Sequence, residues 1–132
     1  MDEGYNGLMI IIATVAGVAV GMFWFAPPVF GKAWFKHAGL AEGEKPGIAI
    51  FGLWVGSYLV LAITMAYLYK HLGANNAYQG LRWGLTLGIT IVAMAVAGNY
   101  AFAKKPLKLF LIELGHIVFS MAVMGAIIGM GR

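Results

Sequence analysis

Hydrophobic and polar positions fall in long blocks along this chain: four apolar runs separated by three short polar connections. The runs cover about Leu8 to Phe25, Ile48 to Tyr69, Leu81 to Phe102 and Leu107 to Met130. A helix needs roughly 20 apolar residues to cross ~30 Å of hydrocarbon at ~1.5 Å per residue. Each run meets that length. The pattern predicts an all-α membrane protein, a four-transmembrane-helix bundle forming a single domain over residues 1–132.

The connections carry signals of their own. The first run stops at Pro27-Pro28, because a proline disfavours helix in the residue before it and donates no helical hydrogen bond. The stretch from Val29 to His37 interleaves aromatics with Lys32 and Lys36. It reads as a short amphipathic segment lying in the membrane interface, where rings and snorkelling lysines are comfortable. Ala41 to Pro46 is the most polar stretch and reads as a loop. Tyr67, Tyr69 and Lys70 close the second run as an aromatic and cationic boundary. Gly73 to Ala77 forms a tight polar connection, Arg82 and Trp83 open the third run, and Lys104-Lys105-Pro106 closes it.

Composition sharpens the class. Hydrophobic residues make up 61% of the 132 and charged residues 11%, against an apolar share of about 45–50% in soluble proteins. Cysteine is absent, which excludes disulfides, thiolate metal sites and cysteine catalysis. The net charge of +4 resides at the ends of the runs, so nucleic acid is not an expected partner. The N-terminus, Met-Asp-Glu-Gly-Tyr, is acidic where a signal peptide is basic, so the first run is expected to stay in the mature protein. Lys32, Lys36, Lys45, Lys104, Lys105 and Lys108 fall in the first and third connections, and Lys70, Arg82 and Arg132 on the other side. The positive-inside rule then predicts that loops one and three are cytoplasmic and both termini lie outside.

The candidate chemistry lies in the last run. Glu113 and His116 stand three residues apart and share one helix face. An ionisable side chain within a span costs several kcal/mol unless paired or hydrated, so the pair marks a functional site by default. Counted from Lys108, Glu113 lies about 7–8 Å deeper and His116 about 12 Å deeper. The available partners are each other, Lys104, Lys105, Asn99, Tyr100, Tyr67 and Tyr69. Asn99 precedes the Lys-Lys-Pro turn by about as much as Glu113 comes after it. An intramembrane polar cluster of Asn99, Tyr100, Glu113 and His116 is therefore expected. It can serve as hydrogen-bond glue between helices, as a proton or ion relay, as part of a metal site, or in substrate binding or catalysis. Glu-x-x-His is half of the di-iron bundle motif, but that chemistry needs two copies and two further glutamates. No metal, other cofactor or catalytic residue is assigned. His37 and His71 read as solvated interface residues. Met94, Met121, Met124 and Met130 show no copper-binding repeat.

Small residues recur at four-residue spacing: Gly17 and Gly21, Gly52 and Gly56, Gly80, Gly84 and Gly88, Gly125 and Gly129. In lipid such stripes let helix backbones approach closely. They predict helix packing within the bundle, or contact with a second copy or another membrane subunit. Trp24, Trp34 and Trp83 fit interface belts, and Trp54 fits packing.

The segment Phe23-Trp24-Phe25-Ala26-Pro27-Pro28-Val29-Phe30-Gly31-Lys32-Ala33-Trp34 resembles the membrane family catalogued as "domain of unknown function 1761". Trp24, Pro27, Phe30, Gly31, Lys32 and Trp34 carry the likeness. The last run, from Leu111-Ile-Glu113 to the glycine-rich end at Gly129, is similar to that family's last span. Pro28 stands where the family more usually has a leucine-like residue, and Glu113 where it is expected to have aspartate. The resemblance implies a small integral membrane protein, often bacterial, and implies no particular activity. Read physically, the shared segment is a docking device: the prolines turn the chain out of the bilayer, Gly31 permits a sharp bend, and Lys32 and Lys36 meet anionic head groups. The leading functional expectation is a non-enzymatic membrane protein that self-associates or serves as an accessory subunit, with the lipid bilayer and other membrane subunits as partners. The alternative is a small channel or transporter whose path includes Asn99, Glu113 and His116.

Overall fold

The computed structural model describes residues 5–39 and 47–132. The expected loop from Ala41 to Pro46 lies outside the described residues, as does the acidic start of the chain. Six α-helices make up the described chain: α1 Gly7–Trp24, α2 Lys32–Ala38, α3 Ile48–Leu72, α4 Ala77–Leu87, α5 Met94–Phe102 and α6 Leu107–Met130. A π-helical turn, Pro27–Gly31, leads into α2, and a π-helical stretch, Gly88–Ala93, joins α4 to α5. Four helices are long and apolar enough to cross a membrane: α1, α3, the composite Ala77–Phe102, and α6. This is the expected all-α four-span architecture.

Local chemistry sets the helix ends. Asn6 caps α1 by accepting from the Met9 N–H, and Asn76 caps α4 by accepting from the Gln79 N–H. The Asn76 cap starts the third helix four residues before the run of hydrophobics that announced it. Gly73, at φ +73°, ends α3 in the left-handed conformation that a glycine adopts without strain. Lys104, which closes the third span, takes the same kind of conformation at φ +55° with a side chain attached.

The helices do not contribute equally. Half of the α6 span is buried within the protein, against 28% of α1, 17% of α3 and 11% of the third span. The last helix is thus the central one, with α1 on one side and α4 on the other. Helix α3 packs chiefly on α1 and less on α6. The core gathers Ile10, Tyr58, Met65, Tyr69, Met121, Met124 and Ile128.

The seam between α4 and α6 is made by backbone. A β-carbon at Gly80 would strike the Gly125 carbonyl, and one at Gly84 would strike the Met121 carbonyl. At Gly129 it would meet the Asn76 carbonyl, and at Gly88 the Val118 Cα at 3.2 Å. The glycine stripes at Gly84, Gly88, Gly125 and Gly129, with Gly80, are thereby used within the chain. The stripe at Gly52 and Gly56 is not: among the described residues nothing lies within 4 Å of a β-carbon at either position. Tyr69 pins α3 to this seam, its hydroxyl donating to the Gly80 carbonyl at 2.6 Å.

Candidate functional site

Helix α6 presents Glu113 and His116 toward its neighbours because it is the span most enclosed by other helices. Glu113 is half-buried, and its Oε1 accepts a hydrogen bond of 2.9 Å from the Trp34 indole N–H. His116 is 4% exposed, and its Nε2 shares a 2.8 Å hydrogen bond with the Tyr58 hydroxyl. Glu113 and His116 therefore each have a polar aromatic partner, one from α2 and one from α3. Ser120, one turn beyond His116, is fully buried, and its hydroxyl makes no hydrogen bond at ordinary geometry among the described residues.

The α1 glycines make room for this pair. A β-carbon at Gly21 would lie 2.8 Å from His116 Nε2 and 2.5 Å from the Trp54 ring. At Gly17 it would lie 2.8 Å from the Tyr58 ring and 2.6 Å from Met124 Sδ. The stripe read from the sequence as a packing surface is also what admits a histidine and a tyrosine into the bundle.

The segment after the first span folds back as a docking unit. The Gly31 N–H closes the π-turn on the Ala26 carbonyl at 3.0 Å, so a side chain at Gly31 would collide with the Phe25 carbonyl. Pro27 sits in the first turn, where its missing N–H is no loss. The Trp24 indole donates to the Ile112 carbonyl at 3.0 Å, and its ring packs on Phe30 at 4.7 Å. Lys32 points outward, exposed. Trp24 and Trp34, expected as parts of an interface belt, thus also hold the segment against α6.

Together these groups border a groove of about 510 Å³ lined by Phe25, Trp34, Trp54, Tyr58, Glu113 and His116, with Ser57, Leu61, Val92, Ile117 and Met121 completing the wall. It lies between α3 and the third span, which are joined at the Tyr69 end but do not form a packed pair further along. Aromatic rings form a continuous lining. Phe25 meets Trp34 at 5.4 Å and His116 at 4.9 Å between centroids, and Trp54 meets Tyr58 at 5.7 Å. A second hollow, bordered by Pro27, Ile48 and Phe51, adjoins it across Phe25 and Trp54.

The expected cluster with Asn99 and Tyr100 does not form. Asn99 is exposed and makes no hydrogen bond to Glu113 or His116. Tyr100 packs on Phe110 at 5.3 Å, with Lys105 over its ring at 5.1 Å. The cause is rotation about the helix axis. Asn99 lies eleven residues beyond Gly88, which in an unbroken α-helix is about three turns and the same face. The π-helical stretch Gly88–Ala93 holds more residues per turn and rotates the residues beyond it by about 100°. Tyr67 and Tyr69, two further candidate partners, are engaged elsewhere: the Tyr67 ring packs on His71 at 4.5 Å between centroids, and the Tyr69 hydroxyl donates to the Gly80 carbonyl. Tyr58, Trp54 and Phe25 were missed in the sequence. Their only signal was that Tyr58 is a polar aromatic well inside a span, away from either belt. No group of three or more His, Asp or Glu side chains able to hold a metal occurs among the described residues.

Four apolar helices around an intramembrane polar pair define a small integral membrane protein. The chain belongs to the family described as "Protein of unknown function (DUF1761)", whose model matches residues 8–129. No curated protein and no solved structure matches the chain.

Proposed function

We propose that this protein is a non-enzymatic binding component of the membrane, taking an amphipathic small molecule from the bilayer into the groove beside α6. One observation carries the reading: Glu113 and His116 border the same cavity of about 510 Å³. That volume is in the usual range for small-molecule sites, and a mainly apolar lining with a few convergent polar groups is their usual make-up. The test is native mass spectrometry of the protein extracted from its own membrane in mild detergent. A bound amphiphile should be retained by the wild type and lost from Ser57→Trp, which fills the groove from its exposed rim. Equal small-molecule content in both proteins would sink the reading.

A second reading, self-association or service as an accessory subunit, is favoured by the uncovered pair Gly52 and Gly56 on α3. Small residues spaced by four on a lipid-facing surface suit close helix contact. Because the chain has no cysteine, Gly52→Cys introduces a single thiol. Oxidation should give a disulfide-linked dimer, whereas Gly98→Cys, on the open face of α5, should not. A channel or transporter built on Asn99, Glu113 and His116 fits less well, since Asn99 lies outside the groove. For orientation, the lysine balance supports α2 on the cytoplasmic side and both termini outside; a bacterial inner membrane is what the family resemblance implies.

A further inference from the structure

Glu113 is the only acidic residue among the described residues. It makes no ion pair there: its partner is the neutral Trp34 indole on Oε1, and its second oxygen has no hydrogen bond among the described residues. An intramembrane carboxyl normally acquires a cationic partner from its own chain or sits in water. Here the eight lysines and arginines among the described residues supply none.

The walls around this carboxyl are aromatic. Phe25, Trp34, Trp54 and Tyr58 all border the groove. Aromatic faces carry the negative end of the ring quadrupole and attract a desolvated cation. A carboxyl at one point and a lining rich in aromatic rings favour a cation over an anion. The remaining lining, Leu61, Val92, Ile117 and Met121, offers apolar area for a hydrophobic body.

We infer that the groove beside α6 is a site for a lipophilic organic cation, an amine or onium group carried on an apolar body, with the charge set beside Glu113 and among the rings of Phe25, Trp34, Trp54 and Tyr58. The inference rests on the groove being a binding site and adds the chemical class of what it takes. His116, held by Tyr58, shapes the inner end. The ligand enters sideways from the bilayer between α3 and the third span.

The test uses two ions of the same shape and opposite charge, tetraphenylphosphonium and tetraphenylborate. Each is titrated into the full-length protein in zwitterionic-lipid nanodiscs, with empty nanodiscs as the partition control. Tryptophan fluorescence reports occupancy, because Trp34 and Trp54 line the groove. Saturable binding of the phosphonium is expected, at least tenfold tighter than of the borate, and weakened about tenfold or more in Glu113→Gln. That variant keeps an amide oxygen to accept from Trp34, so α2 stays docked. Its unfolding midpoint, measured in parallel, should match the wild type. Comparable saturable binding of both ions, or binding unaffected in Glu113→Gln, would overturn the cation class and leave the groove a binding site. Binding of neither ion above the empty-nanodisc control would overturn the site itself. The charge-sign comparison is made on the wild-type protein and does not depend on the variant folding.

Discussion

Replacing Gly84 by alanine tests the central seam of the fold with the smallest side chain available. A β-carbon there would collide with the Met121 carbonyl oxygen and lie 2.8 Å from the Met121 carbonyl carbon and 3.1 Å from Ala122 Cα. Comfortable carbon–carbon contacts lie near 3.5–4.0 Å, so α4 and α6 must part by about 1 Å. Such a gap forfeits roughly a quarter to a half of each dispersion contact along it. In lipid those contacts are what hold helices together, since no hydrophobic force is left to draw apolar helices from one another's solvent. The obstacles are backbone atoms, which cannot rotate away. Overpacking of this kind costs about 1–3 kcal/mol, offset in part by alanine's helix advantage over glycine of up to ~1 kcal/mol. The net expectation is a loss of about 1–2 kcal/mol. Gly98→Ala is the control, because among the described residues nothing lies within 4 Å of a β-carbon there; it should be neutral or slightly stabilising. Reversible unfolding in mixed micelles with increasing dodecyl sulfate, monitored by tryptophan fluorescence, measures both. If Gly84→Ala proves as stable as Gly98→Ala, the two backbones are not in contact and the close seam is refuted.

Three further outcomes are expected. Tyr58→Phe leaves the buried His116 ring nitrogen without its partner and should cost about 1–3 kcal/mol in the same unfolding assay; an unchanged midpoint would mean the hydrogen bond is not made. Trp34→Phe keeps a ring against Phe25 but loses the donor to Glu113, so amide hydrogen exchange in α2 should quicken severalfold, as expected for a loss of about 1 kcal/mol. Exchange unchanged in α2 would show that other contacts hold the segment down. Lys104→Gly relieves a left-handed residue that carries a side chain and should stabilise the protein by about 1 kcal/mol; a lower midpoint would count against that turn geometry.

Much of this protein was legible in one dimension. Four uninterrupted apolar runs, bounded by prolines, lysines and asparagines, are enough to specify four spanning helices, because in hydrocarbon a backbone must satisfy its own hydrogen bonds. The ionisable pair announced itself for the same reason: Glu113 and His116 are costly wherever they fall in a span. The docking segment was visible too, as a proline pair, a glycine and alternating aromatics.

The partners those side chains meet were another matter. Depth along a helix is fixed by counting residues, but the direction a side chain faces depends on an unbroken 3.6-residue period. The π-helical stretch at Gly88–Ala93 breaks it and turns Asn99 away from α6. Nothing in the apolar run distinguishes six π-helical residues from six α-helical ones. Likewise, which of several equivalent glycine stripes is covered depends on which helix becomes central. Tertiary packing gave that place to α6, closed Gly80 and Gly84 against it and left Gly52 and Gly56 open. It also brought Tyr58 and Trp34, 58 and 79 residues distant in sequence, to His116 and Glu113. The spans follow from the local cost of burying a bare backbone in lipid. The pocket arises from contacts between helices, and a single run of residues carries no record of those.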